Sequence, residues 1–141
     1  MLFSTKAEYG VRLMVELGRQ PGSQPVSLGS VAEAENLPLS YLEHLVAKLR
    51  KAGLVTSTRG AHGGYRLAKP AEEIRMDAVV EALEGQIAPM ECFHETPEGK
   101  VLCSHESDGD HTACSTNLLW TRVQGGVTKA LAGTTLAELV E

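Results

Sequence analysis

The chain has 141 residues, of which 43% are hydrophobic and 22% charged, and its formal net charge is −5. This composition suits a globular domain with a real core, or a small domain with an appendage. No apolar run approaches the ~20 residues of a membrane span, and residues 1–6 lack the apolar segment of a secretory signal. We therefore expect a cytoplasmic protein that does not enter a membrane.

Charge is divided unevenly along the chain. Residues 1–75 carry ten Lys and Arg against seven acidic residues, whereas residues 76–141 carry three against eleven. Within residues 38–69 there are six basic residues and a single acid, Glu43. A basic stretch is usually a solvated surface, but this one coincides with a DNA-binding pattern, so we expect it to contact DNA.

Two helices are predicted before residue 37. The first runs from about Thr5 to Arg19, and Thr5 and Glu8 have the spacing of a capping box. Its predicted core face repeats at helical period and comprises Ala7, Gly10, Val11, Met14 and Leu17. Ser27 is expected to cap a second, short helix, and Asn36 suits the left-handed residue that ends it.

A third helix and a hairpin follow. Pro38 suits a helix start, and Gly53 ends the helix. The core face of this helix has helical spacing and comprises Leu42, Leu45, Val46 and Leu49. Residues 55–58 and 65–67 are predicted strands, joined by a glycine-rich turn over residues 59–64. Short helices followed by a hairpin predict a winged helix-turn-helix.

The remainder of the chain is less regular. Asp77 is expected to cap a fourth helix that ends at Gly85, and residues 86–112 have little periodicity. A longer amphipathic helix follows, with an apolar seam of Leu119, Val123, Val127 and Leu131. Two adjacent glycines each weaken it by roughly 1 kcal/mol relative to alanine, so it needs a partner surface in its own domain or on a second subunit. Thr135 and Glu138 have capping-box spacing before a final short helix.

Eight residues in the basic segment are candidate DNA contacts. In helix-turn-helix proteins, the first side chains of the second helix reach base edges in the major groove, and cations further along contact phosphates. An arginine in a glycine-rich wing can enter the minor groove. The predicted contacts are Ser40, Tyr41, Glu43, Lys48, Arg50, Arg59, Gly60 and His62. The alternative, a winged helix that serves only as a protein–protein module, predicts no salt-dependent DNA binding.

The three cysteines, Cys92, Cys103 and Cys114, are each eleven residues from the next. An odd number argues against a disulfide framework, and thiolates are soft ligands suited to iron–sulfur clusters or zinc. Zinc sites usually contain a close Cys-x-x-Cys pair, which this sequence lacks, so the spacing counts against zinc and leaves a cluster as one interpretation. A third interpretation is a thiol sensor in which oxidation couples two cysteines.

Enzyme signatures are missing from the sequence. It contains no phosphate-binding loop, no dinucleotide fingerprint and no Ser/His/Asp arrangement. Cys103 and His105 form a possible nucleophilic pair, but nothing around them suggests a substrate pocket. We therefore expect a protein that is not an enzyme.

Six segments carry a family resemblance: residues 4–11, 39–43, 49–55, 59–65, 119–120 and 135–139. Together they resemble the IscR-like and NsrR-like regulators, bacterial winged-helix transcription factors, over nearly the whole chain. The resemblance implies a homodimer whose long C-terminal helices pair across a two-fold axis. The two recognition helices would then read a palindromic operator in double-stranded DNA. An iron–sulfur cluster, 4Fe–4S or 2Fe–2S, would lie on the three cysteines beside the dimer interface and alter DNA affinity.

The resemblance also assigns individual residues. Ser40, Tyr41 and Glu43 match recognition-helix contacts of the family, and Arg59 matches its minor-groove arginine. A cluster generally needs four protein ligands, and Glu8 matches an acidic ligand that the other subunit contributes in NsrR-like relatives. The alternative fourth ligands, each near a cysteine, are His94, His105 and His111.

Two features depart from the family pattern. The cysteines are more widely spaced than in relatives, and Asn117 stands where IscR-like proteins have a histidine ligand, which counts against an IscR-type ligand set. We predict a mainly α protein with a winged helix-turn-helix domain at residues 1–85, a cluster-binding loop at 86–114, and a dimerisation helix and tail at 115–141. Its predicted function is a transcriptional repressor that senses redox state, nitric oxide or iron and cluster status. The alternative is a zinc- or thiol-based winged-helix regulator without a cluster.

Overall fold

The computed structural model describes residues 3–21, 24–85, 93–95, 101–103 and 116–140, and side chains for all of these except 93–95, 101–103 and 117. The helices are α1 Thr5–Gly18, α2 Leu28–Glu35, α3 Leu39–Lys51, α4 Met76–Glu84, α5 Asn117–Ala132 and α6 Leu136–Val140. Two antiparallel hairpins pair β1 Val55–Thr58 with β2 Gly64–Leu67, and β3 Phe93–Glu95 with β4 Val101–Cys103. This mainly helical architecture confirms the predicted fold class. None of the described helices has the length and apolarity needed to cross a membrane.

The helix-turn-helix is formed by α2 and α3. The Ser27 hydroxyl accepts a hydrogen bond from the Ser30 N–H at 3.2 Å, which caps α2 as predicted. Asn36 is left-handed, with φ 53° and ψ 51°, and ends that helix. Pro38 is the N-cap of α3, and all four predicted core residues of α3 are buried. Short-range signals therefore determine this motif.

The wing consists of β1 and β2, in a register that runs from Val55↔Leu67 to Thr58↔Gly64. Val26 and Tyr65 exchange two backbone hydrogen bonds of 2.8 Å, which fasten β2 to the connection between α1 and α2. Gly64 has a φ of 152°, and a Cβ there would lie 2.4 Å from the Val26 carbonyl oxygen. Only glycine fits this contact without strain.

The hydrophobic core lies among α1, α3 and α4, with α6 packed on α1. Its largest fully buried side chains include Leu13, Met14, Leu42, Leu45, Leu49, Ile74, Leu83 and Leu136. Burial of each such side chain contributes roughly 1.5–3 kcal/mol. The predicted core face of α1 was one residue in error, because Leu13 is fully buried and Val11 only partly so.

The C-terminal helix α6 belongs to the same packing unit as the winged helix. Leu136 is fully buried in the core cluster. The Met76 N–H donates to the Thr134 carbonyl at 2.9 Å, and the Leu136 N–H donates to the Ile74 carbonyl at 2.8 Å. The segment that follows α5 is thereby fixed to the start of α4.

The predicted cap of α1 is wrong. Ser4, rather than Thr5, is the N-cap, and its hydroxyl accepts from the Lys6 N–H at 3.2 Å. Glu8 lies in the first turn, and its carboxylate pairs with Arg12 on the next turn. The capping-box explanation of Glu8 therefore fails, which removes the main structural role that the sequence offered for this residue.

Of the other two predicted caps, that of α4 is wrong and that of α6 is confirmed. At α4 the N-cap is Arg75, which makes no side-chain capping bond, and Asp77 lies inside the first turn paired with Arg75. Asp77 was therefore wrongly predicted as the cap. Before α6, the Glu138 carboxylate accepts from the Thr135 N–H at 2.6 Å, as capping-box spacing predicts.

Candidate nucleic-acid interface and metal centre

The outward face of α3 is polar. At about 100° per residue, the side of this helix opposite the buried core face holds Ser40, His44, Ala47 and Lys51. All four are exposed, as is Glu43 beside them. This is the face that a recognition helix directs into the major groove.

Cations surround the C-terminal end of this face. Lys48, Arg50 and Lys51 occupy the last turn of α3, where positive charge also complements the helix dipole. Arg66 on the wing is exposed, and its Nε donates to the Thr56 hydroxyl at 3.3 Å. The end of α3 and the wing thus both carry exposed cations.

Two of the predicted DNA contacts, Tyr41 and Lys48, lie on a flank of α3 and contact other helices. The Tyr41 and Thr5 hydroxyl oxygens are 3.1 Å apart, and the rings of Tyr41 and Tyr9 meet edge to face, with centroids 5.7 Å apart. The Lys48 Nζ donates to the Leu83 carbonyl at the end of α4, at 3.4 Å. Sequence reasoning missed these three contacts.

The tip of the wing is open. Arg59, Gly60 and His62 are all exposed. Gly60 has a φ of 115°, and a Cβ there would have no neighbour within 4 Å. Glycine is therefore needed for backbone conformation at this position, and the surrounding space is available to a ligand. The wing tip is accessible, as the predicted DNA contacts require.

The cysteine segment is described only in part. Cys92, Cys114, His105 and His111 lie outside the described residues. Cys103 ends β4 and pairs with Phe93 in β3, and His94 pairs with Leu102. Phe93 follows Cys92 in the sequence, so the hairpin pairs Cys103 with the residue after Cys92.

Glu8 lies at the edge of an apolar groove of about 590 Å³. The groove is lined by the first turns of α1, by Val80 of α4 and by Leu131 of α5. The Glu8 side chain is 56% exposed, and it contacts Arg12 at 3.5 Å. An exposed ion pair of this kind is worth about 0–1 kcal/mol, so the carboxylate can exchange Arg12 for another cation at little cost.

The proposed ligands, three cysteines and Glu8, suit a soft metal centre only if folding and assembly bring them together. Three thiolates and one carboxylate match iron in an iron–sulfur cluster. Within the described part of the chain, no three His, Cys, Asp or Glu side chains form a ligand group. The convergence of the three cysteines and Glu8 on one centre therefore stays a prediction.

Glu84, which sequence reasoning missed, holds the N-terminus of α1. Its Oε1 accepts hydrogen bonds from the Ser4 N–H at 2.9 Å, the Ser4 hydroxyl at 2.5 Å and the Ala7 N–H at 3.1 Å. Burial opposes ionisation of this carboxyl, but these hydrogen bonds outweigh it and lower the pKa of Glu84. The partners are about eighty residues apart in sequence, so no local pattern could have identified them.

A pair of carboxyl groups, Glu16 and Glu35, joins α1 to α2. Glu16 contacts Arg19 at 2.6 Å, and Glu35 contacts Arg12 at 3.6 Å. The hydrogen bond with Glu16, then burial, then repulsion by the Glu16 charge raise the pKa of Glu35 against the two arginines. Since the Glu16 and Glu35 side chains are only 16% and 18% exposed, solvent screens this repulsion incompletely.

Comparison with known proteins matches the whole of the described architecture. The Rrf2 family, an iron-dependent transcriptional regulator, matches residues 3–141. The HTH-type transcriptional regulator CymR of Bacillus subtilis is 38% identical over 139 residues, which is 99% of this chain and 89% of the relative. The HTH-type transcriptional regulator IscR of Vibrio campbellii is 35% identical over 141 residues, 100% of this chain and 78% of the relative.

Solved structures agree with the sequence matches. The structure of CymR, the global cysteine regulator of B. subtilis, has a TM-score of 0.79 at 37% identity and covers 99% of this chain and 96% of its own. That of IscR from T. potens has a TM-score of 0.77 at 34% identity, covering 99% and 86%. The relatives are transcriptional regulators and not enzymes, in agreement with the prediction. The chain belongs to the Rrf2 family of transcriptional regulators.

Proposed function

We propose that this Rrf2-family regulator is a homodimeric, cytoplasmic repressor whose operator affinity is set by an iron–sulfur cluster. The proposed ligands are Cys92, Cys103 and Cys114 of one protomer and Glu8 of the partner subunit. One observation carries the proposal: a single chain combines exposed cations on α3 and the wing with a cysteine in the β3–β4 hairpin.

The exposed residues of α3 and the wing support double-stranded DNA as the partner. Ser40 and Glu43 are exposed on the outward side of α3, where they can reach base edges. Arg50 suits phosphate, and Arg59 at the wing tip suits the minor groove. His62 and Gly60 lie beside Arg59 on the exposed wing, so they can approach the same backbone.

The surface of α5 supports a homodimer and, through its two-fold symmetry, a palindromic operator. Leu118 and Leu119 are 64% and 53% exposed, so two adjacent large apolar side chains lie on the surface of the protomer. Val123, Val127 and Leu131, on the seam of the same helix, are only half-buried. A second copy of α5 would cover this surface, in agreement with the dimer that the family resemblance implies.

The cluster proposal rests on ligand chemistry and placement. When bound, an iron–sulfur centre supplies a redox-active and nitric-oxide-reactive group. The pairing of β3 with β4 fixes the position of Cys103 opposite Phe93, next to Cys92 in sequence. The Glu8 carboxylate is exposed and weakly paired, so it is available as the fourth ligand.

The segment that carries the cysteines is connected in the chain to the elements proposed to bind DNA and to form the dimer. The segment leaves α4 just after Glu84, whose carboxylate holds the first turn of α1, and it precedes α5, the proposed dimer helix. A change in the segment would therefore act on α1 and on the dimer geometry together. By linkage, DNA binding must in turn alter the stability of the cluster-bound form.

The test is to purify the protein without oxygen and assay iron, acid-labile sulfide and zinc. We expect iron and sulfide in similar amounts without zinc. Glu8→Ala should change the visible spectrum and shorten the lifetime of the chromophore, whereas Glu33→Ala, an exposed acid on α2, should not. A protein with neither iron nor sulfide refutes the cluster, and an unaltered Glu8→Ala spectrum removes Glu8 from the ligand set.

A second candidate is a regulator that senses through its thiols, without a cluster. The similarity to CymR, described as a global cysteine regulator, favours it. The β3–β4 pairing supports it too, because it places Cys103 opposite the residue that follows Cys92. This candidate predicts metal-free protein whose DNA affinity responds to oxidant and is restored by a thiol reductant. Zinc on three cysteines and a histidine would appear in the same metal assay.

A further inference from the structure

The flank of α3 that carries Tyr41 and Lys48 faces neither the core nor the outward polar face. The two residues are seven positions apart and so lie about 20° from each other around the helix. The outward face of Ser40, His44 and Lys51 is centred about 70° away from them. Tyr41 is half-buried, in contrast to the exposed residues of that outward face.

Tyr41 is held by α1 in two ways. Its hydroxyl is 3.1 Å from the Thr5 hydroxyl, and its ring packs edge to face on Tyr9 at an interplanar angle of 87°. The ring contact fixes the position of the side chain, and the hydroxyl contact fixes its tilt. Thr5 is itself held, because the adjacent Ser4 is bonded to Glu84 through both its N–H and its hydroxyl.

Lys48 is held by α4. Its ammonium group donates to the carbonyl of Leu83, which belongs to the last turn of that helix. A cation at a helix C-terminus is favoured by the exposed carbonyl groups and by the dipole. The first and third turns of α3 are thus tied to two different helices by polar contacts on the same flank.

We infer that Thr5 and the Leu83 carbonyl are anchors that set the orientation of the recognition helix on DNA, with Tyr41 and Lys48 acting as positioning residues. This inference rests on the proposed DNA-reading role of α3. It differs from the assignment by family resemblance, in which the Tyr41 hydroxyl contacts DNA directly. Thr5 enters the DNA-binding machinery although it touches no base or phosphate itself.

The two assignments of Tyr41 predict different double-mutant cycles. If the hydroxyl positions α3 through Thr5, Tyr41→Phe and Thr5→Val each remove the same hydrogen bond. Each should weaken operator binding by a similar factor, roughly 2- to 10-fold for one hydrogen bond. The double variant should be no weaker than either single variant, because the contact is already lost. Thr5→Ser keeps the hydroxyl and should restore wild-type affinity.

A direct Tyr41 contact with phosphate or base gives another pattern. Tyr41→Phe would then weaken binding while Thr5→Val leaves it unchanged, or the two losses would multiply in the double variant. Either result overturns the inference for Tyr41. Phe at position 41 keeps the ring packed on Tyr9, and thermal unfolding of every variant ensures that titrations compare folded proteins.

The salt dependence of binding tests Lys48. Lys48→Met removes the ammonium group but keeps the apolar stem, and Lys51→Met on the outward face is the matched control. A lysine that neutralises a phosphate lowers the slope of log affinity against log salt by about one when it is removed. We expect Lys51→Met to lower the slope in this way, and Lys48→Met to weaken binding with the slope retained. A slope reduced by about one in Lys48→Met overturns the positioning role of Lys48.

The DNA probe is a duplex selected from a random-sequence pool by the wild-type protein, in its oxygen-free and its metal-depleted forms, with an unselected duplex as reference. If the wild type selects no duplex in either form, the proposed function fails and the inference with it. If the wild type binds its duplex and Thr5→Val binds equally well, the inference alone fails.

Discussion

The capping of α1 by Glu84 gives the most quantitative prediction about stability. Glu84→Ala removes the acceptor of three hydrogen bonds, two from backbone N–H groups at the helix start and one from the Ser4 hydroxyl. Loss of an N-terminal cap costs about 0.5–2 kcal/mol, and loss of the negative charge beside the helix dipole costs a further 0.3–1 kcal/mol. The expected destabilisation is therefore about 1–3 kcal/mol.

This loss of unfolding free energy corresponds to a decrease in melting temperature. With an unfolding entropy of about 2.1 cal/mol/K per residue, a chain of 141 residues loses about 3 °C for each kcal/mol. Glu84→Ala should thus melt about 3–10 °C below the wild type. Glu81→Ala, an exposed acid on the same helix, is the matched control and should change stability by less than about 0.5 kcal/mol.

The pH dependence of this effect has a definite sign. Because the folded-state pKa of Glu84 is lowered, its contribution is present above the unfolded pKa and is lost as pH falls through the folded pKa. The difference in unfolding free energy between the wild type and Glu84→Gln should be largest near neutral pH and vanish in acid. Equal melting temperatures for Glu84→Ala and Glu81→Ala at pH 7 would refute the capping role.

Three further predictions concern α2, the wing and DNA. Because the pKa of Glu35 is raised in the folded protein, its contribution to the free energy of unfolding is fully present below the pKa of the unfolded state and is lost as pH rises through the folded pKa. The wild type should therefore lose stability over that range of pH. Denaturant titrations should show that the free energy of unfolding of Glu35→Gln depends less on pH in this range, whereas the exposed control Glu33→Gln keeps the wild-type dependence. Parallel pH dependences for Glu35→Gln and the wild type would contradict the carboxyl pair. Gly64→Ala should destabilise the protein by more than 1 kcal/mol in the same assay, since the new Cβ would meet backbone at 2.4 Å, and unchanged stability would contradict the close contact. Arg59→Ala should weaken operator binding about 10-fold or more, since it removes the cation proposed to enter the minor groove, and an unchanged affinity would exclude that contact.

Much of the fold was predictable because its signals are local. Periodicity identified the buried face of α3, and the left-handed Asn36 followed from its place after a short apolar helix. Both strands of the wing were predicted within one residue, since the glycine-rich turn and the alternation bracket them. On the single face of α1, helical spacing did not distinguish Leu13 from Val11, because both lie near the boundary of the apolar stripe.

The contacts that tie the recognition helix to the rest of the molecule were not predictable. Tyr41 reaches Thr5 across 36 positions, and Lys48 reaches Leu83 across 35. Such pairs depend on how helices pack and leave no spacing pattern in one sequence. The same reason explains why Glu8 was assigned a local capping role that Glu84 provides from 77 positions beyond Ala7 in the sequence.

The central claim is that one protein has two DNA affinities, according to the occupancy of the cysteine site. The direct measurement is a titration of the selected duplex with oxygen-free protein, repeated after the iron and sulfide of the same preparation have been removed. The account predicts dissociation constants that differ by about 5- to 150-fold, the usual range of coupling between two sites. Equal dissociation constants for the two forms would contradict it.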